Sequence, residues 1–294
     1  MEYTNNGQLA RPLYYALTHS TYERAEDCYS VTALIDSPRI RILSNRHESE
    51  IVKDASSGIF AMLGTAFHVA LEAYPHGISE KRFYADITPD VRIAGIPDLV
   101  DDGTLYDYKT TSVWTHVYDG VKPSWIKQMN AYRWLLRRND IIVNELLLVA
   151  IFRDWSASSA AQKPELPQYP SLTYTVPMWS LDETYEYLTE RADSHHSAEQ
   201  LKDELLPECT PEERWQKDSV YAVYQGKQKR ASRLLSTESE ANGWIAAQSD
   251  TGYRIELRPE VWNRCEKYCD AKEFCNQYKE KVDGTGTSID DDGW

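Results

Sequence analysis

Residues 93–111 read IAGIPDLVDDGTLYDYKTT, and the reading of this stretch decides the fold. Ile93 to Val100 is apolar, broken by Gly95 and Pro97, and predicts one strand. Asp101-Asp102-Gly103 is a hairpin turn signal, and Thr104 to Lys109 reads as the second strand. Side chains alternate along a strand, so Asp107 and Lys109 share one face and Tyr108 takes the other. Pairing across the turn lets Asp98 approach Asp107. Two carboxylates at close range repel unless a cation stands between them, and hard oxygen ligands suit Mg²⁺ or Mn²⁺. The D-x-K spacing alone is common and serves equally as a turn-flanking acid with a solvated lysine.

Working outward, Gly58 to Tyr74 has helical periodicity, with Phe60, Leu63, Phe67, Ala70, Leu71 and Tyr74 on one stripe. His68 and Glu72 are one turn apart on the neighbouring face. Residues 1–26 give no clear element; Ser30 or Thr32 caps a short helix and Ser37-Pro38-Arg39 restarts the chain. Arg82–Asp86 and Asp90–Ile96 read as strands, Pro123–Arg138 as a helix, and Val143–Phe152 as a central buried strand. Ala157–Pro170 reads as a loop, Leu172–Pro177 as an edge strand, and Leu181–Leu205 as a long polar helix whose His195-His196 pair lies on the surface. This order predicts an α/β protein, a central mixed β-sheet flanked by helices.

The 294 residues can bury one sizeable core plus an accessory region. No apolar run spans a bilayer and no signal peptide is visible, so the expected compartment is cytoplasmic, with no membrane partner. A net charge of −14 argues against nucleic acid globally, but phosphate binding needs only local positive charge. Two stretches supply it: Lys122–Arg138, with five cations and no acid, and Arg214–Arg233, with six cations against Asp218. Trp215, Tyr221 and Tyr224 interleave with the second, as base stacking requires and as a structural role would equally allow.

Cys265, Cys269 and Cys275 place three thiols within eleven residues, and Cys209 is the nearest fourth donor in the same third of the chain. In a reducing compartment such a set reads as metal ligands, for an iron–sulfur cluster or a structural Zn²⁺, pinning the C-terminal segment. Cys28 reads as a plain thiol.

The motifs Gly64-x-x-x-His68, Gly95-Ile96-Pro97-Asp98, Asp107-Tyr108-Lys109 and Gln128-x-x-x-Tyr132 fall in one order. In that order the chain resembles the PD-(D/E)XK nuclease superfamily, in its RecB-like exonuclease branch, over residues 30 to 155. The resemblance implies a restriction-endonuclease-like core in which Asp98, Asp107, His68 and the Tyr108 carbonyl hold Mg²⁺ or Mn²⁺. Lys109 would orient the attacking water, and Gln128 and Tyr132 would position the strand or brace the site. It implies a metal-dependent DNA exonuclease of recombination, repair or phage genome processing, compact like phage-encoded members and then acting in the host cytoplasm. A single-strand-binding or recombination protein is the implied partner. A structure-specific endonuclease or resolvase, or a non-catalytic nucleic-acid-binding module, are the alternatives on the same fold. Iron–sulfur members of the branch favour [4Fe–4S] on Cys209, Cys265, Cys269 and Cys275. Against that pattern, Ser37 stands where such members place a cysteine, and Cys265 and Cys269 are separated by three residues rather than two. The expected organisation is an N-terminal segment 1–57, a nuclease core 58–178, a helical accessory region with the cysteine cluster 179–282, and an acidic flexible tail 283–294.

Overall fold

A computed structural model describes residues 1–19 and 27–285. The chain divides into two units, Met1–Leu206 and Pro207–Trp294. The acidic tail expected over 283–294 lies outside the described residues from 286 onward.

The first unit opens with β1 (Glu2–Thr4), α1 (Arg11–Thr18), β2 (Tyr29–Ser30), α2 (Val31–Leu34) and α3 (Pro38–Arg46). The first two of these lie where the sequence offered no clear element. Ser30 caps α2, its Oγ accepting the Ala33 N–H at 3.1 Å, and Pro38 opens α3 with a ring already set for helix. β3 (Val52–Asp54) pairs parallel to β1 and leads into α4 (Ile59–Leu71).

The organising stretch is not two strands but three. β5 (Phe83–Thr88) and β6 (Val91–Gly95) form an antiparallel pair that β2 extends in parallel, whereas β7 (Leu99–Asp101) belongs to another sheet. Ile96-Pro97 carries the chain between the two sheets, where a proline removes a ladder donor, and Asp98 stands at that crossing. The turn forms as expected: Asp101 pairs with Thr104, and Asp102 and Gly103 both take positive φ (44° and 74°), the conformation Asp-Gly accepts readily.

The main sheet has five strands in the order β10-β9-β8-β7-β4, with β4 (Ile78–Ser79), β8 (Thr104–Thr111), β9 (Glu145–Phe152) and β10 (Ser171–Thr175). β8 and β9 run parallel and the other pairs antiparallel, so the sheet is mixed. α5 (Val113–Tyr118) and α6 (Pro123–Arg137) connect β8 to β9, and the short α7 (Ala157–Gln162) interrupts the loop expected over 157–170. Leu146, Leu148, Ala150 and Phe152 alternate into the core, where they meet α6 residues such as Met129 and Leu135. This is the restriction-endonuclease-like arrangement of a mixed sheet flanked by helices.

The first unit ends later than the boundary expected at 178/179. α8 (Leu181–Glu199), whose Ser180–Glu183 capping box fixes its start, sends Leu188 and Ala192, both fully buried, into the same core. His195 is also fully buried rather than a surface residue; its Nδ1 accepts the Arg41 Nε–H at 2.9 Å and its Nε2 donates to the Asp36 carbonyl at 3.0 Å. Burial, with Arg41 close by, pulls its pKa down to about 4. α4 departs from the core stripe expected of it: none of its residues is fully buried and Phe60 is 61% exposed.

The second unit is not helical alone. It holds an antiparallel sheet in the order β13-β12-β14, from β12 (Val220–Gln225), β13 (Arg233–Leu235) and β14 (Tyr253–Arg258), and a small pair of β11 (Gln216–Lys217) with β15 (Val261–Trp262). α9 (Glu238–Ala246), α10 (Asn263–Lys267) and α11 (Asn276–Thr285) complete it. No helix among the described residues is long and apolar enough to cross a membrane.

Candidate active site

A cleft of about 730 Å³ in the first unit is where the motifs meet: His68, Asp98, Lys109, Gln128 and Tyr132 all line it. They arrive from four separate segments of the chain. Asp98 sits at the sheet crossing and Lys109 on β8, while His68 lies on α4 and Gln128 and Tyr132 lie on α6. Gly95 lets α6 come this close, because a Cβ there would stand 2.7 Å from Tyr132 Cε1.

The Asp98 carboxylate accepts the Tyr108 backbone N–H at 2.7 Å, which ties the crossing to β8. Asp98 is 8% exposed and Asp107 1% exposed. Burial first, and then the Asp107 charge, push the Asp98 pKa up to about 7, against the opposing pull of the Tyr108 N–H, His68 and Lys109. Lys109 Nζ lies 2.7 Å from Asp107 Oδ2 on the same strand face, as alternation demands. That contact is an ion pair without hydrogen-bond alignment, and both Asp107 oxygens are buried with no hydrogen-bond partner among the described residues. A buried carboxylate left so is strongly disfavoured, and the usual remedy is a bound cation.

The third carboxylate is Glu80, which the sequence reading passed over. It follows β4 with φ 49°, its N–H donating to the Asp98 carbonyl at 3.3 Å. His68 Nδ1 meets Glu80 Oε1 at 3.2 Å and Asp98 Oδ1 at 3.5 Å. The hydrogen bond to Glu80, helped by the Asp98 and Glu80 charges, raises the His68 pKa. One ligand atom from each of His68, Glu80 and Asp98 lies within 4.8 Å of the others. Two or three carboxylate oxygens with one imidazole fit a hard divalent cation with positions left for water and phosphate. Glu72, one turn from His68, is exposed.

The cations of the cleft are Arg41, Arg82 and Lys109 rather than those of the 122–138 stretch. Arg133 is taken up by the Val143 and Trp179 carbonyls (3.2 and 3.0 Å), and Arg137 and Arg138 line a different hollow beside Asp86 and Asp182. Arg41 bonds Glu199 at 2.9 Å and lies 4.7 Å over the Tyr29 ring. No short motif in the sequence marks Glu80, Arg41 or Tyr29; only the packing of β2, α3 and the end of β4 around the cleft does. Cys28 is half-buried on the same wall.

In the second unit all four of Cys209, Cys265, Cys269 and Cys275 are free thiols. Burial, then Cys269 and Cys275, push the Cys265 thiol up to about 11, so these three feel one another's charge. Among the described residues no three of the four thiols come within 4.8 Å of one another. Tyr224 is buried beneath Arg254 and Arg258 and unavailable to a base, whereas Trp215 is 49% exposed beside Tyr268.

Compared with known proteins, residues 23–276 match the family model of the PD-(D/E)XK nuclease superfamily. No curated protein sequence matches the chain. Among solved structures it is similar to SSO0001, at 18% identity and a TM-score of 0.41, over 61% of this chain and 80% of that one. It is similar to an alkaline exonuclease (LHK-Exo) from Laribacter hongkongensis at 10% identity and a TM-score of 0.36, over 64% and 93% of the two chains. A phage related exonuclease from Haemophilus somnus 129PT matches at 11% identity and a TM-score of 0.29, over 63% and 77%. With a family match that spans most of its length, the chain belongs to the PD-(D/E)XK nuclease superfamily.

Proposed function

We propose that the protein is a metal-dependent DNA exonuclease of the RecB-like branch. The observation that carries the reading is Asp107, buried against Lys109 with no hydrogen-bond partner among the described residues, beside an Asp98 whose own carboxyl is pushed up to about 7. Asp98, Asp107, His68 and the Tyr108 carbonyl, now with Glu80, would hold one or two Mg²⁺ or Mn²⁺ ions. Such an ion supplies Lewis acidity, lowering the pKa of water and offsetting charge on the phosphate. Lys109, held against Asp107, orients the attacking water and balances the extra charge of the pentacovalent phosphate. Gln128 and Tyr132, whose side chains meet at 3.5 Å, brace the cleft wall. Arg41 and Arg82 draw the strand into the cleft, which at about 730 Å³ is the size of a pocket for a strand end.

Cys209, Cys265, Cys269 and Cys275 hold a [4Fe–4S] cluster on this reading. An all-thiolate set of four suits that cluster or, as the alternative, a structural Zn²⁺. Iron and zinc analysis of the purified protein decides between them. The biological setting we infer is recombination, repair or phage genome processing in the cytoplasm, alongside a single-strand-binding or recombination protein.

The test is hydrolysis of linear and covalently closed circular DNA, single-stranded and duplex, with Mn²⁺, Mg²⁺ or EDTA. Metal-dependent loss of linear DNA alone, absent in Asp107→Ala and Lys109→Ala, is the expected result. Cutting of circles makes the enzyme a structure-specific endonuclease or resolvase. Binding without cutting under any metal makes it a non-catalytic module.

A further inference from the structure

The second unit carries a concentration of positive charge that the proposed chemistry does not use. After β12 the chain turns through Gly226 (φ 54°), and Lys227, Lys229, Arg230 and Arg233 follow within seven residues, all exposed. Lys229, Arg230, Ser232, Arg233, Leu234 and Arg258 line an open hollow of about 680 Å³. The loop is held in place: Arg254 on β14 donates to the Gly226 carbonyl and, at 3.2 Å, to the Gln228 carbonyl, and the Ser232 N–H donates to Val223 at 2.7 Å. Arg258 is fixed by donating to the Tyr224 hydroxyl at 2.7 Å.

The carboxylate nearest in this sheet, Glu256, is engaged by Arg254 at 2.8 Å. Among the described residues Lys227, Lys229, Arg230, Arg233 and Arg258 have no carboxylate partner. In a chain of net charge −14, acids to neutralise them are plentiful, yet Lys229, Arg230, Arg233 and Arg258 line one hollow with no carboxylate partner among the described residues. Like charges so gathered repel, and an anion with several charges in a row relieves them. Leu234 and Leu257, 50% and 57% exposed, add apolar surface on two of the strands that bear these cations, β13 and β14.

We propose that this hollow binds the sugar–phosphate backbone of DNA, independently of sequence, as an anchor separate from the catalytic residues. The choice of DNA over another polyanion rests on the nuclease reading. Backbone contacts of this kind release counterions, so each lost contact lowers the salt dependence of binding by about one.

The experiment uses the full chain in an Asp107→Asn background, so that DNA is bound without being cut. Binding of a long oligonucleotide is measured across salt concentrations for that protein and for one further carrying Lys229→Ala, Arg230→Ala and Arg233→Ala. Expected is a fall in affinity of about 10–100-fold and a log K against log salt slope shallower by about 2–3. The charge-keeping variant Lys229→Arg, Arg230→Lys, Arg233→Lys should bind as the parent does, which separates lost charge from lost folding. In the active protein the alanine variant should hydrolyse a dinucleotide at the parental rate while its KM for long DNA rises. Unchanged affinity and slope for long DNA overturn the proposal, as does loss of binding only to phosphatidylglycerol vesicles or polyglutamate. If the parent cuts nothing but the triple variant still loses DNA, the nuclease reading fails and the anchor stands.

Discussion

His68 Nδ1 and Glu80 Oε1 stand 3.2 Å apart, joining a helix of the first unit to the residue after an edge strand of its main sheet. The contact fixes the imidazole ring against Asp98 and sets how a cation would meet it, as partners of metal-binding histidines commonly do. Glu80→Gln is expected to weaken Mn²⁺ affinity and nuclease rate by about 10–100-fold with little change in folding. Calorimetric metal titration beside the hydrolysis assay checks it, and parental values for both would remove Glu80 from the site.

Asp98 carries a stability cost that a cation relieves. Its folded pKa of about 7 exceeds the ordinary 3.8, so the folded chain keeps a proton that the unfolded chain releases. The stability this contributes is present below pH 3.8 and is lost as pH rises through about 7. Asp98→Asn should therefore stabilise the metal-free protein above pH 7 by about 1–3 kcal/mol while abolishing hydrolysis. Urea unfolding in EDTA is the measurement, and added Mg²⁺ should narrow the gap by stabilising the parent alone.

Gly95 is required by the approach of α6. An added Cβ would lie 2.7 Å from Tyr132 Cε1 and 2.8 Å from Leu135 Cδ2, both on a buried helix face. Gly95→Ala should lower stability by about 1–3 kcal/mol and displace Tyr132 from the cleft, reducing kcat. Thermal unfolding with kinetics tests both halves; a variant as stable and active as the parent would show that α6 shifts freely.

His195 makes the first unit acid-sensitive. Its folded pKa of about 4 lies below the ordinary 6.5, so the unfolded chain binds the extra proton and stability falls as pH drops from 6.5 toward 4. The full loss is about 3 kcal/mol. Arg41 and Arg191, which face the ring with Tyr29 and the Asp36 carbonyl, offer no acid to offset the charge. In His195→Gln the urea midpoint should vary much less across that window than in the parent.

Leu188 tests whether α8 belongs to the first unit's core. Fully buried in it, Leu188→Ala should cost about 2–5 kcal/mol. A change below about 1 kcal/mol would mean that α8 packs loosely on that core.

How much was legible follows from the distance over which each signal acts. Asp-Gly dictates its turn through backbone sterics alone, and period-two alternation puts Asp107 and Lys109 on one face, so the hairpin and the acid–lysine pair could be read directly. The crossing at Ile96-Pro97 could not, because an apolar run reads the same whether it stays in one sheet or passes between two. His195 looked like half of a polar surface pair, and only the packing of α8 on α3 buries it. The basic 122–138 stretch reads as one surface, but the helical turn of α6 sends its cations to different places.

The sequence by itself determined the motif order, the turn, the strand faces and the membership in a nuclease superfamily, since these depend on residues near one another in the chain. Tertiary structure alone decided that Glu80, Arg41 and Tyr29 join the cleft, that Asp107 is buried against Lys109 with no hydrogen-bond partner among the described residues, and that four cations without a carboxylate partner among those residues line one hollow of the second unit. Those facts arise where segments far apart in sequence meet, and desolvation and charge there depend on the partners that packing brings.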